Sequence, residues 1–201
     1  MNRITKILFI VSFIALLHGC KAPGNFATKY YAKHEKSLIK IEQSYRALYK
    51  EKPFSLQFSD KTFNYISLEM ITDTLKYIYD FYLNEPALND TLIKYGYNPK
   101  KISELINEMR TIKCTWINIL DYFVNDARKS LVYISIRPKA LAIPFNPKKY
   151  YILTFYSQPQ YYDSEGRLLD NRTVKQLRRI QNEIFRRIND KVCYTISDNF
   201  R

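Results

Sequence analysis

Two histidines, three cysteines and a few carboxylate pairs are the side chains of this chain that could do chemistry. His18 lies in an apolar leader and His34 in a charged stretch of helical period. A histidine-centred hydrolase, a His-rich metal site or a Cys–His couple would therefore have to be built on His34 alone. Glu104 and Glu108 stand one helical turn apart, and Asp163 and Glu165 flank a turn. Acid–base work on a glycosidic bond needs such a pair, yet the same spacing is ordinary on solvated helices and loops. With four glycines in all, and neither a P-loop nor a GxGxxG stretch, the chain lacks the sequence of a phosphate-cradling loop. No run of metal-ligand residues stands out in it. These features predict a non-enzymatic protein without a cofactor or a metal.

Cys20 points to a different chemistry. Met1–Lys6 carries Arg3 and Lys6 and no acid, and Ile7–Leu17 is apolar apart from Ser12. A short basic region followed by an apolar stretch well under the 20 or so residues of a membrane span has the form of a signal peptide. Leu17-His18-Gly19-Cys20 resembles the lipobox of bacterial lipoproteins, with His18 departing from the small residue usual at its position. The resemblance implies diacylglyceryl transfer to the Cys20 thiol, cleavage before Cys20 and a third acyl chain on the new amino terminus. It divides the chain into a signal peptide (1–19), a lipidated cysteine and tether (20–28) and one domain (29–201). Two or more acyl chains anchor a protein stably, each buried methylene contributing about 0.8 kcal/mol. Lys21 stands where an aspartate would mark inner-membrane retention, which favours the outer membrane. Surface-exported lipoproteins of the Bacteroidota carry acidic residues just after the cysteine, and Lys21–Asn25 has none, which favours a periplasm-facing domain. An ordinary secretory signal with an incidental cysteine is the alternative.

With Cys20 lipidated, Cys114 and Cys193 remain as an even pair in an oxidising compartment. They suit either a disulfide that ties the middle of the chain to its end or two separate buried thiols. Their distance in sequence excludes the CxxC spacing of redox or zinc chemistry.

The formal charge of +13 falls to about +11 once Arg3 and Lys6 are removed with the signal. So basic a chain usually suggests nucleic acid, but the compartment excludes it. The partners expected instead are an acidic protein of the cell envelope, anionic lipid or the carboxylates of peptidoglycan. The residues most suited to meet them lie in 172–190. There Val174, Leu177, Ile180, Ile184, Phe185 and Ile188 recur at helical spacing, with Arg172, Lys175, Arg179 and Arg186 on the opposite side. That pattern predicts a C-terminal amphipathic helix whose basic face binds anions or serves as a solvated surface. Tyr150, Tyr151, Tyr161 and Tyr162 are candidates for stacking on sugars, or members of a tyrosine-rich core.

The elements that must position these residues follow from periodicity. Tyr31, Leu38, Ile41, Tyr45 and Leu48 mark a first amphipathic helix ending before Pro53. Phe54, Leu56 and Phe58 alternate, and a turn at Ser59-Asp60-Lys61 leads to a second alternating run, which predicts a hairpin. Ile71, Leu75, Ile78 and Tyr82 fit a helix, although KYIYDF also suits a strand; the helix is the expectation. Pro86 and Pro99 each open a further helix, the first closed by Gly96 and the second carrying Ile102, Leu105, Ile106, Met109 and Ile112 on one stripe. Lys113–Val124, Ser130–Pro138, Lys149–Ser157 and Val192–Ser197 are predicted strands, and Gly166 centres a turn.

The expected fold is therefore α+β: N-terminal helices and a short hairpin, then an antiparallel sheet with the C-terminal helix packed on it. The expected function is that of an outer-membrane-anchored periplasmic lipoprotein, an accessory of an assembly or secretion complex that binds another envelope component. A peptidoglycan- or glycan-binding lipoprotein and an immunity lipoprotein against a periplasmic toxin are the alternatives.

Overall fold

The computed structural model describes residues 24–72, 74–124, 127–140, 149–170, 176–180 and 183–197. Cys20, Arg172 and Lys175 lie outside them. Helix α1 (Gly24–Glu51) comes first, with a kink at His34, whose φ of −118° departs from helical values. Strands β1 (Phe54–Phe58), β2 (Tyr65–Ile71) and β3 (Lys76–Tyr82) form an antiparallel meander. The β1–β2 turn is organised by Asp60, whose carboxylate accepts the Thr62, Asn64 and Tyr65 N–H groups at 3.0 Å each. Helices α2 (Pro86–Lys94) and α3 (Pro99–Thr111) follow. Gly96, at φ +72°, ends the first, and Asn98 caps the second by accepting the Lys101 N–H at 3.1 Å. The described strands that follow are β4 (Cys114–Val124), β5 (Ala127–Ala140), β6 (Lys149–Tyr156), the two-residue β7 (Arg179–Ile180), β8 (Glu183–Ile184) and β9 (Arg186–Arg187), and β10 (Val192–Ser197).

Eight of these strands form one antiparallel sheet in the order β3-β2-β1-β4-β5-β6-β10-β9. Strand alternation gives it two unlike faces. Phe54, Leu56, Ile117, Ile134 and Leu153 point to one face, where they meet Leu38, Ile41 and Tyr45 of α1 and the apolar stripe of α3 in the main core. Arg46 fastens α1 to the sheet beside that core by donating to the Ser130 hydroxyl at 2.8 Å and the Phe155 carbonyl at 3.0 Å. The opposite face carries a smaller cluster of Trp116, Leu131, Tyr133, Ile152, Tyr156 and Cys193, covered by Leu168 and Phe185 from the C-terminal part of the chain. Among the described residues no helix is long and apolar enough to cross a membrane.

Two expectations are overturned. The segment around Ile78 is a strand, because β3 satisfies its backbone along the whole length of β2, from Ile71 opposite Lys76 to Tyr65 opposite Tyr82. Its helical stripe was never buried: Ile78 and Tyr82 are 55% and 54% exposed.

The larger correction concerns the fold class. The molecule is a large antiparallel sheet with its helices before β4 and its longest helix at the N-terminal end. Among the described residues the predicted C-terminal amphipathic helix is not formed: 176–180 and 183–187 run as extended chain, and 188–190 bend into β10. Tertiary hydrogen bonding decides this. Arg186 and Arg187 pair with Tyr194 and Cys193 and cover the edge of β10. The Phe185 carbonyl accepts the Leu168 N–H at 3.0 Å, and the Arg187 N–H donates to Gly166 at 2.7 Å. Without this cover Trp116, Tyr133 and Ile152 would face water. Covering them and pairing an open edge outweighs a helical preference of a few tenths of a kcal/mol per residue. Ile184 and Phe185 show the result, since neighbours that share a helical stripe point to opposite sides of an extended chain. Phe185 is 1% exposed and Ile184 40%.

Candidate functional site

The helix-free face of the sheet is only partly covered, and a groove of about 340 Å³ lies where the cover stops. Its floor comes from alternate residues of neighbouring strands. Trp116 on β4 and Tyr133 on β5 are stacked at a centroid distance of 6.3 Å and an interplanar angle of 20°, and Ile152 on β6 lies in the same apolar cluster. Phe185, Ile180 and Glu183 of the C-terminal segment form one wall. The other wall is polar. Glu69 of β2 is paired with Lys76 of β3 at 2.9 Å and accepts the Ser55 hydroxyl at 3.2 Å, and Asn118 lies on β4, the strand that also carries Trp116 of the floor.

A volume of this size holds a small ligand, and an apolar floor with a few convergent polar groups is the usual makeup of such a site. The charged groups of the groove are two carboxylates, Glu69 and Glu183, and one ammonium group, Lys76. In a strongly basic chain this is a locally acidic place. It suits a neutral or amine-bearing ligand better than the anionic one expected from net charge.

The structure does not gather the predicted basic surface. Arg179 and Arg186 are exposed on β7 and β9 rather than on one face of a helix. Other arginines of the same segment hold the cover in place. Arg178 donates to the Gln160 side-chain carbonyl at 2.9 Å and lies over the Tyr122 ring at 5.8 Å, and Arg187 pairs with Asp190 at 2.5 Å while lying over the Tyr162 ring. Of the four tyrosines considered for sugar stacking, Tyr151 is buried in the main core, Tyr162 is partly buried and Tyr161 is 49% exposed.

The carboxylate pairs are also committed to structure. Glu108 is bonded to Lys40 across to α1. Asp163 and Glu165 both pair with Arg167, at 2.7 and 3.2 Å. The Arg167 N–H, burial in opposition and the Arg167 side chain set the Asp163 carboxyl below the ordinary aspartate range. His34 packs its ring on Tyr30 at the α1 kink, and burial followed by the neighbouring Lys33 charge lowers its pKa. Among the described residues no three His, Cys, Asp or Glu side chains assemble as a metal-binding group.

A disulfide between Cys114 and Cys193 does not form; both thiols are free and buried. Cys114 belongs to the main core and Cys193 to the cluster on the other face. In the strand order β5 and β6 separate them, a span of roughly 14 Å at about 4.8 Å per strand, while a disulfide needs Cα atoms within about 7 Å. Burial pushes each thiol up to about 12.

Glu69, Lys76, Trp116, Asn118, Tyr133 and Glu183 were not singled out from sequence. Their signal was the second phase of the alternation: Tyr65, Ser67 and Glu69 between Ile66, Leu68 and Met70, and Trp116 and Asn118 on either side of Ile117. That phase marks an open face, but only strand order brings these residues together. No protein-family model matches the chain, and no curated protein and no solved structure matches it either.

Proposed function

We propose that this chain is an outer-membrane-anchored, periplasm-facing lipoprotein whose folded domain is a non-enzymatic binding module, and that the envelope component it binds is an amino-sugar glycan. The anchor rests on the Leu17–Cys20 lipobox. The ligand class rests on one observation, the groove that joins an apolar floor to a mixed rim of Glu69, Lys76, Asn118 and Glu183. An N-acetylated sugar offers matching groups: an acetyl methyl for the Trp116–Tyr133 floor, an amide N–H for a carboxylate and a carbonyl oxygen for the Lys76 ammonium. This favours the glycan alternative over an anion-binding surface, because the predicted basic helix that carried the latter is not formed.

The single tryptophan of the chain lies in the groove, so its fluorescence reports on occupancy. The purified lipoprotein in detergent is titrated with chitooligosaccharides and with muropeptides released from sacculi. A saturable change that Asn118→Ala and Glu69→Gln each weaken by tenfold or more supports the reading. The absence of a saturable response up to millimolar sugar, or unchanged affinity in both variants, overturns it.

A further inference from the structure

Strand β3 ends the large sheet, and its backbone shows which of its groups are spare. At one end of the β2–β3 pair the Thr72 N–H donates to the Leu75 carbonyl at 2.9 Å, and at the other the Leu83 N–H donates to Asn64 at 2.9 Å. Both bonds belong to the register that sets Leu68 opposite Tyr79. In an antiparallel ladder every second residue bonds to a given neighbour. Tyr77, Tyr79 and Phe81 therefore face β2, and Lys76, Ile78, Asp80 and Tyr82 direct their N–H and C=O groups outward. The Tyr82 carbonyl accepts the Glu85 N–H at 3.0 Å, and among the described residues no backbone group bonds the outward groups of Lys76, Ile78 and Asp80. The side chains of the same four residues stand exposed on the open face of the sheet.

We infer that β3 pairs with β3 of a second copy of this chain, antiparallel and about a two-fold axis through Ile78. The sequence Lys76-Tyr77-Ile78-Tyr79-Asp80 is self-complementary in that register. Ile78 lies opposite its own symmetry mate, Lys76 opposite Asp80 in both directions, and Tyr77 opposite Tyr79. All the outward groups of Lys76, Ile78 and Asp80 find partners, giving about six main-chain hydrogen bonds. Opposite charges facing each other across strands are favourable and like charges unfavourable, which selects this register from its neighbours. Moving the axis to Tyr79 sets Asp80 against Ile78. An axis at Asp80 sets that carboxylate against itself.

The Tyr77–Tyr79 contacts fall on the helix side of the sheet. There Tyr95 already packs on both rings of its own chain, at 5.7 and 5.6 Å, so the aromatic cluster would continue across the axis. Because partners across a strand pair share a face, both grooves open on the same side of the joined sheet. The pairing requires no groove ligand; Lys76 also lines the groove and is paired with Glu69 at 2.9 Å, so Asp80→Lys, outside the groove lining, is the variant that tests the pairing apart from the glycan reading.

Two charge variants of the full chain, purified in detergent, test the inference by light scattering with the detergent contribution subtracted. Lys76→Asp leaves carboxylates at both positions 76 and 80, and Asp80→Lys leaves ammonium groups at both. The wild type is expected at the mass of two chains and each variant at the mass of one. An equimolar mixture is expected to return to two chains, one of each kind, which differing affinity tags identify. In the wild type the Ile78 and Asp80 amides are expected to gain protection from hydrogen exchange as concentration rises. A wild type that stays at one chain overturns the inference. So do variants that stay paired alone, folded variants that do not pair when mixed, or Ile78 and Asp80 amides that exchange freely in a two-chain particle.

Discussion

Replacing Phe185 by alanine and, separately, Ile184 by alanine distinguishes an extended C-terminal cover from a helical one. On a helix both side chains belong to one apolar stripe and both truncations are costly. In the structure Phe185 is 1% exposed among Trp116, Tyr133 and Leu168, while Ile184 is 40% exposed. A buried aromatic ring removes about 150–250 Å² from water. At about 25 cal/mol per Å² that is about 4–6 kcal/mol, an upper figure since the unfolded chain is already partly compact. Phe→Ala truncations in protein cores cost about 3–5 kcal/mol, which sets the expectation for Phe185→Ala. Ile184→Ala is expected to cost about 1 kcal/mol or less. Urea denaturation followed by circular dichroism measures the first quantity, and Trp116 fluorescence reports the same transition from the cluster that Phe185 covers. A gap of at least about 2 kcal/mol between the variants agrees with the extended segment. Similar losses at the two positions would refute it.

Three further expectations follow from local chemistry. Because burial pushes the Cys114 and Cys193 thiols up to about 12, neither is expected to react with a thiol reagent at pH 8 until the protein unfolds; prompt labelling of the native protein contradicts this. The Thr154 hydroxyl is buried with only the weakly bonding Cys193 thiol beside it, so Thr154→Val is expected to change stability by about 1 kcal/mol or less, measured as a shift of the urea midpoint. Asp163, led by the Arg167 N–H, has its pKa lowered in the folded state. Its stabilising contribution is thus present at neutral pH and is lost as pH falls from the ordinary aspartate value of about 3.9 through the folded one. Asp163→Asn is expected to lose stability relative to wild type at pH 7, with the difference closing across that acid window; a gap that stays constant down to pH 2 would contradict it.

Elements whose stability is local were legible in the sequence. Pro99, Asn98 and the stripe from Ile102 to Met109 define α3 through capping, the first-turn proline and one continuous apolar face. Gly96 ends α2 because its positive φ costs glycine little. The alternation at Phe54, Leu56 and Phe58, and the long β-branched and aromatic runs of β4 to β6, were recognisable because half-buried strands repeat every two residues. The proposed Leu17–Cys20 lipobox would likewise be a local pattern, one that enzymes read as sequence rather than as fold.

What the sequence left open was decided by partners distant along the chain. KYIYDFY satisfies a helical period and a strand period equally, and the free edge of β2 resolved the choice. The segment around Ile184 and Phe185 has good helical periodicity, but the uncovered Trp116, Tyr133 and Ile152, together with the edge of β10, gained more from an extended chain. Cys114 and Cys193 could not be assigned a bond without knowing that β5 and β6 separate them and that they face opposite sides. The groove shares this origin. Glu69, Lys76, Trp116, Asn118, Tyr133 and Glu183 come from five strands, β2, β3, β4, β5 and β8, and only the tertiary fold makes them neighbours. A helix or a turn is stabilised by contacts a few residues apart, so its signal survives in a single stretch of sequence. A sheet face is assembled from contacts at long separation, and the tertiary structure alone determines which side chains share it.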